Sequence, residues 1–198
     1  MTQKTDRDTV IERALDLIRL RGYHKTTMND VAAACGLLKG SLYHYFPGKE
    51  ALAVAVMERV CETFVKHIVD IAQDEAVPVE ARLEAIMDET RKYFLSREGG
   101  CIMGNVALEA IDAVPEFRPI VRKYFKDWIA ALARLYESRF PAKIALRQAE
   151  RIVAMIQGTI MMMRVYQDSS MFEMAISDIL RDFRAAPVIT TEVAFAAA

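Results

Sequence analysis

The stretch MNDVAAACGLLKGSLYHYF, Met28 to Phe46, decides the fold. Its apolar residues fall at helical spacing twice, with Gly36 between the two runs. Val31 and Ala32 lie on the inner face of a first short helix, and Ala32 is small where a second helix must cross it. Gly36 falls where the chain has to turn with positive φ. Leu37 plugs the corner, and Leu42 and Tyr45 face back toward the first helix. Two short helices joined by a three- or four-residue turn containing glycine make a helix-turn-helix. Lys39, Gly40, Ser41, Tyr43 and His44 are left over from this packing. They lie on the outward face and N-terminal end of the second helix, where a recognition helix meets the major groove. Lys39 suits a phosphate or a guanine edge. Gly40 allows close approach, and Ser41, Tyr43 and His44 can donate to phosphate oxygens. The alternative is a glycine-broken helical pair inside a core. The outward face speaks against it, being polar and basic.

Outward from this stretch the pattern stays helical. Before it, Val10, Ile11, Ala14, Leu15 and Ile18 form one face of a helix from about Arg7 to Leu20, which Arg21-Gly22 ends with a left-handed cap. Thr27 opens the first short helix with Asp30 three residues on, a capping-box spacing. After it, Pro47-Gly48 makes a turn and a long helix starts near Lys49. Leu52, Val56, Val60, Phe64 and Ile68 run along it as an i, i+4 series. Thr27 and Lys49 therefore sit at helix N-termini, where free N–H groups and the helix dipole favour a phosphate. Pro78 opens a further helix with Leu83, Ile86, Met87 and Phe94 inward, and Gly99-Gly100 breaks the chain. A short helix follows from Ile102 to Ile111, and Pro115 separates it from another that runs to about Phe140. Leu146 to Tyr166 and Met171 to Phe183 complete the pattern, and the tail from Ala185 lacks a helical period. The expected fold is all-α, with about nine helices: an N-terminal three-helix DNA-binding domain at 1–48 and a C-terminal helical domain at 49–198. The helix from about 49 links the two.

The string GLLKGSLYHYFPGKEAL, Gly36 to Leu52, closely resembles the signature of the TetR family of bacterial transcriptional regulators. RGYHKTTMNDVAAACG, Arg21 to Gly36, resembles that family's entry into the motif. The match covers roughly residues 8–57. Beyond it the likeness rests on helix count, on the GCIMGNVALEA stretch from Gly100, and on paired long helices near the C-terminus. One position departs: Leu38 stands where the family commonly has Ser or Thr. A hydroxyl there would cap the recognition helix, so a cap worth about 1 kcal/mol is missing, and with it one phosphate contact.

The resemblance implies a cytoplasmic homodimer that binds a palindromic operator in double-stranded DNA, usually as a repressor. It also implies a small, largely apolar effector that releases the protein from DNA. Phe117–Phe140 and Leu146–Tyr166 are apolar over more than one stripe, and a second copy of the chain is the simplest cover for them. Gly158 would let two backbones approach. The other reading makes both helices the core of a monomer. Met87, Tyr93, Phe94, Met103, Tyr124, Trp128, Met155, Gln157, Met162 and Tyr166 are candidates to line an effector pocket. Eight of eleven methionines lie after residue 60, and methionine suits an adaptable apolar site. Glu109, Gln157 and Arg164 are polar among apolar neighbours, able to orient a ligand or to pair with one another.

Composition bounds the rest. Hydrophobic residues make up 53% of 198, enough to bury a core without staples. Cys35, Cys61 and Cys101 form no C-x-x-C pair and no disulfide framework, which fits a reducing cytoplasm. Cys101, after two glycines at a helix start, is a candidate thiol for an electrophile- or redox-sensing variant of the regulator. The polar N-terminus carries no signal peptide pattern, and no apolar run is long enough for a membrane span. Net charge is −1, with residues 1–60 holding nine Lys/Arg against seven Asp/Glu, so the weak positive bias falls on the DNA-binding end. His24, His44 and His67 have no metal-ligand spacing, and no phosphate loop, H-E-x-x-H or nucleophile elbow is present. No enzyme, metal or cofactor is expected. A helical interaction protein that does not touch DNA is the remaining alternative.

Overall fold

The computed structural model describes residues 5–188. It is all-α, with no strand among the described residues. The elements are α1 (Arg7–Arg21), α2 (Met28–Ala34), α3 (Lys39–Leu42), α4 (Lys49–Val60), a π-helical turn (Cys61–Val65), α5 (Lys66–Gln73), α6 (Val79–Leu95), α7 (Ile102–Glu109), α8 (Phe117–Tyr136), α9 (Ala142–Tyr166) and α10 (Ser170–Ala185). The π turn joins α4 to α5 without a break, so the described residues form nine helical runs. The tail expected from Ala185 falls mainly on residues 189–198, outside the described residues; Ala185 itself closes α10.

By contact the chain divides into two compact units. The first is the chain up to Thr63 with Arg97–Tyr124, and the second is Phe64–Ser96 with the chain from Phe125 on. In the first, α1 is the hub, packing on α2, α4 and α7. Its inward residues Val10, Ile11, Ala14, Leu15 and Ile18 are all buried. Asp6 caps its start, accepting from the Thr9 N–H at 2.8 Å. Gly22 ends it at φ 86°, ψ 164°, with its N–H on the Ile18 carbonyl at 2.9 Å. That lies outside the left-handed helical well the sequence suggested, in a region open essentially to glycine alone. The Glu109 carboxylate explains the choice further, because a Cβ at Gly22 would lie 2.4 Å from its oxygen.

The long helix carries the expected row, and Leu52, Val56, Val60, Phe64 and Ile68 are all buried. At 3.6 residues per turn an i, i+4 row drifts by roughly 40° per step. The wider π turn winds less per residue and cancels part of that drift, so Phe64 and Ile68 stay inward. The Thr63 hydroxyl donates to the Arg59 carbonyl at 2.9 Å within this distorted stretch.

In the second unit α6 packs on α5 and α10, and α10 on α9. Phe94 lies between Trp128 and Phe172, each 6.3 Å away between ring centroids, and Phe64 meets Trp128 edge-on at 5.2 Å. Arg139, just beyond α8, is 7% exposed. It ion-pairs with Glu80, donates to the Ala186 carbonyl at 3.2 Å and lies over the Phe183 ring at 5.0 Å. One side chain thus ties the start of α6 to the end of α10. Pro141 is the N-cap of α9, whose first residue Ala142 lies four before the start read from the apolar pattern, and Gln167 ends it at φ 52°.

Substituting Gly22 by Ala should lower stability by about 1–3 kcal/mol, the usual toll of a strained backbone. Urea unfolding followed by circular dichroism measures it, and an unchanged midpoint would show that the loop relaxes freely.

Candidate nucleic-acid interface

The surface around α3 is built from behind. α3 has only four residues, too few to hold themselves. Turns carry its course to Phe46, with the Tyr45 and Phe46 N–H groups on the Leu42 carbonyl at 3.0 and 3.1 Å. Leu42 is wholly buried and Phe46 nearly so. The Arg7 guanidinium lies 4.8 Å from the Phe46 ring centroid, and the Tyr45 hydroxyl donates to the Thr5 carbonyl at 2.8 Å. α2 supports the same turn: the Leu37 N–H bonds to the Ala32 carbonyl at 2.8 Å, and Gly36 turns the chain at φ 65°.

With these anchors in place, Lys39, Gly40, Tyr43 and His44 are exposed and Ser41 is half-buried. Leu38 is the N-cap of α3 and makes no side-chain cap bond, as its aliphatic chemistry requires. The proposed DNA-facing residues of this helix therefore share one accessible strip. Thr27 and Lys49 are differently placed. Thr27 is exposed, but its hydroxyl and its N–H both donate to Asp30, at 2.6 and 2.8 Å, while the Asp30 N–H returns a bond to the Thr27 hydroxyl at 3.2 Å. The capping box read from the sequence is complete. The Thr27 side chain and then its backbone hold the Asp30 carboxyl below the usual carboxylate range.

Lys49 is half-buried rather than free. Its Nζ donates to the His24 carbonyl at 3.2 Å and lies 4.2 Å from the Tyr23 ring centroid. Burial lowers its pKa from the ordinary lysine value, opposed by Glu50 and Glu109. The backbone start of α4 is more open, since Gly48 supplies no side-chain cap. The Tyr23 hydroxyl donates to Glu50 at 3.3 Å, and burial, aided by that charge, pushes its pKa up to about 12. Tyr23 also meets Phe117 edge-on at 5.1 Å. Glu109, read from the sequence as polar amid apolar neighbours, is exposed and faces the α1–α2 loop. Its carboxylate accepts from the His24 N–H at 3.5 Å, and its carbonyl lies 3.0 Å from His24 Nε2. Tyr23 and His24 were missed by sequence reasoning, because an aromatic and a histidine in a connecting loop carry no periodic signal.

The candidate effector residues are dispersed. Met87, Phe94 and Trp128 are buried in the second unit and Met103 and Tyr124 in the first. Tyr93 is half-buried, its ring 4.4 Å from that of Phe64. Gln157 and Met162 are half-buried on α9, whereas Met155 and Tyr166 are exposed. A cleft of about 560 Å³ in the second unit is lined by Tyr136, Phe140, Ile152 and Met155 among others, so it gathers one of the ten. A groove of about 870 Å³ is lined by residues of α5, α8 and the start of α9, among them Val69, Ala130, Arg134, Lys143 and Leu146, and gathers none of the ten. Cys101 is 5% exposed, its Sγ accepting from the Gly104 N–H at 3.4 Å and lying 3.9 Å from the Tyr124 hydroxyl. None of the three cysteines is in a disulfide. Among the described residues no helix is long and apolar enough to cross a membrane, and no group of His, Cys, Asp and Glu is arranged to hold a metal.

Comparison with known proteins agrees with this geometry. Residues 10–56 match the model of the bacterial regulatory proteins of the tetR family. Residues 78–178 match that of the LmrA/YxaF-like transcriptional regulator C-terminal domain. The chain is 34% identical over 176 residues to the HTH-type transcriptional regulator YxaF of Bacillus subtilis, covering 86% of this chain and 91% of that protein. It is 25% identical over 176 residues to the HTH-type transcriptional repressor DhaR of Mycobacterium sp. strain GP1, covering 83% and 85%. A TetR transcriptional regulator from Legionella pneumophila shares the fold at TM-score 0.83 and 20% identity, over 94% of this chain and 100% of that one. The helix-turn-helix, the helical C-terminal part and these likenesses agree, and the chain belongs to the TetR family of DNA-binding transcriptional regulators.

Proposed function

We propose that the protein is a bacterial cytoplasmic repressor that sits as a dimer on a palindromic operator and leaves it when a small, largely apolar effector binds. The observation that carries the reading is the strip of Lys39, Gly40, Ser41, Tyr43 and His44, accessible while Leu42 and Phe46 are buried behind it. Residues 1–48 are the part that grips DNA, and 49–198 the part that dimerises and receives the effector. Occlusion of a promoter needs no further surface, and DhaR, a relative over most of the chain, is named a repressor.

The two lysines predict different outcomes. Lys39 is exposed, so Lys39→Ala should weaken binding to every duplex and flatten the salt slope by about one unit. Lys49→Met should instead remove the contacts to Tyr23 and the His24 carbonyl and lower stability by about 1 kcal/mol. Fluorescence anisotropy across a salt series, beside urea unfolding, separates the two. Unchanged binding by Lys39→Ala and Tyr43→Ala alike would sink the assignment of this face.

Dimerisation is supported by what α9 and α10 leave uncovered. α8 buries Phe117, Val121, Tyr124, Trp128, Leu132 and Leu135 as one continuous stripe within its own chain. On α9 and α10, by contrast, Met161 is 57% exposed, Val165 68%, Tyr166 63% and Met174 60%. Gly158 lies between Met155 and Met161, and a Cβ there would meet nothing within 4 Å. Its bare backbone serves no packing inside the chain and suits a helix approaching from outside. Gly158→Glu should give a folded monomer in sedimentation, with operator affinity reduced about a hundredfold or more as the two heads lose their linkage. A variant that stays dimeric would place the seam elsewhere.

The effector can act only by binding more tightly to the form that has left DNA, and by linkage the operator must weaken it by the same factor. The helical run from Lys49 to Gln73 belongs to both compact units, as does α8, and these helices are covalent paths for that coupling. Trp128 is the chain's one tryptophan and is fully buried among Phe64 and Phe94, so it serves as a built-in reporter. An effector that alters Trp128 emission should bind free protein more tightly than operator-bound protein. Equal affinity for the two forms would defeat the allosteric reading while leaving DNA binding intact.

A further inference from the structure

We propose that Leu38 reads the methyl group of a thymine in each half of the operator, and so sets base preference at one position beside the phosphate contacts. The proposal rests on the reading that the outward face of α3 meets DNA.

Leu38 is 81% exposed, whereas its neighbour Leu37 is half-buried and Leu42 is wholly buried. It holds the N-cap position at φ −71°, ψ 148°, where a hydroxyl or carboxylate would satisfy a free N–H of the helix. Leucine leaves that donor uncapped and places an isobutyl group in water. In the free protein it is ill-suited on both counts, and a serine would remedy both.

Gly40 poses the same problem two residues on. A Cβ there would meet nothing within 4 Å, and its backbone is not in the positive-φ region that calls for glycine. Inside a helix, glycine is less favourable than alanine by about 1 kcal/mol. Neither packing nor backbone geometry accounts for it. Two residues two positions apart are thus unfavourable in the free protein, and both become favourable if a surface comes close. Gly40 removes the side chain that would hold the backbone off, and Leu38 supplies an apolar contact to what lies beneath.

The chemistry of the major groove selects the partner. Its base edges present hydrogen-bond donors and acceptors, and the one apolar group among them is the thymine C5-methyl. Against a guanine or cytosine edge the isobutyl group would strip water from polar atoms without replacing their bonds. Against thymine it buries methyl against methyl. A protein partner is a poorer fit, because a stable interface takes about 800 Å² per side, and here one leucine stands beside exposed Lys39, Gly40, Tyr43 and His44.

The test uses the full-length protein and duplexes recovered by selection from a random pool. Wild type should select a thymine at one fixed position in each half-site. Replacing that thymine with deoxyuridine removes only the methyl, and should weaken wild type about fourfold per half-site, the worth of one buried methyl group. Leu38→Ser, which can cap α3, should bind the thymine and deoxyuridine duplexes equally and keep its salt-dependent affinity for DNA. The proposal is overturned if deoxyuridine has no effect at any thymine of the operator, or if Leu38→Ser discriminates as wild type does. Loss of salt-dependent binding to any duplex by wild type would overturn it too. That outcome differs visibly, because it removes binding itself and takes the reading of α3 with it.

Discussion

A helix of one turn has no stability of its own, since nucleation fixes several dihedral angles for each hydrogen bond gained. Everything α3 does therefore depends on the side chains that pin it. Leu42 is buried beneath it, Phe46 is buried under the Arg7 guanidinium, and Tyr45 reaches the Thr5 carbonyl. These contacts join the turn to α2 and to the start of α1. Because they hold the inner face, the outer face is free of any packing duty. Lys39, Gly40, Tyr43 and His44 can then be chosen for a partner rather than for the fold, and the exposed Leu38 belongs with them.

The loop from Gly22 to Thr26 extends the same logic. It receives Lys49 and Glu50 from the start of α4 and Glu109 from the end of α7, all within the first compact unit. Lys49 caps a loop carbonyl and covers a tyrosine ring at once, and burial accounts for its lowered pKa. Glu109 sits over the one residue, Gly22, with no Cβ to obstruct it. This is why a segment from mid-chain, Arg97–Tyr124, belongs to the same unit as the N-terminal helices. A change in α7 would reach the α1–α2 loop through the contacts of Glu109 with His24.

The second unit keeps its polar groups at its margins and its aromatics inside. Phe64, Phe94, Trp128 and Phe172 meet edge-on or stacked, and Arg139 carries a buried charge answered by Glu80 and a carbonyl. Further ion pairs, Arg91 with Glu173 and Arg184 with Glu84, run from α6 to α10 at its surface. Losing Glu80 would leave an uncompensated buried guanidinium, which costs far more than an exposed pair ever contributes. α9 and α10 break the pattern, leaving methionines, a valine and a tyrosine in water.

The sequence by itself determined the helices, the helix-turn-helix and the family. Helical period, the Thr27–Asp30 capping box, the glycine at position 36 and the block from Gly36 to Leu52 are all local signals, written within a few turns of chain. The inward row from Leu52 to Ile68 was legible for the same reason, though the π turn that keeps it inward was not, because a distortion of one turn answers to packing rather than to spacing. Only the tertiary structure decided what Lys49 and Glu109 do. In sequence Lys49 is a residue at a helix start, and in the fold a tyrosine ring and a carbonyl from 25 residues back engage its ammonium. Glu109 meets a histidine 85 residues away. α8 and α9 look alike in sequence, and folding buries a stripe of each yet leaves Met161, Val165 and Tyr166 of α9 open, because burial is a property of the neighbours a helix acquires and not of the helix.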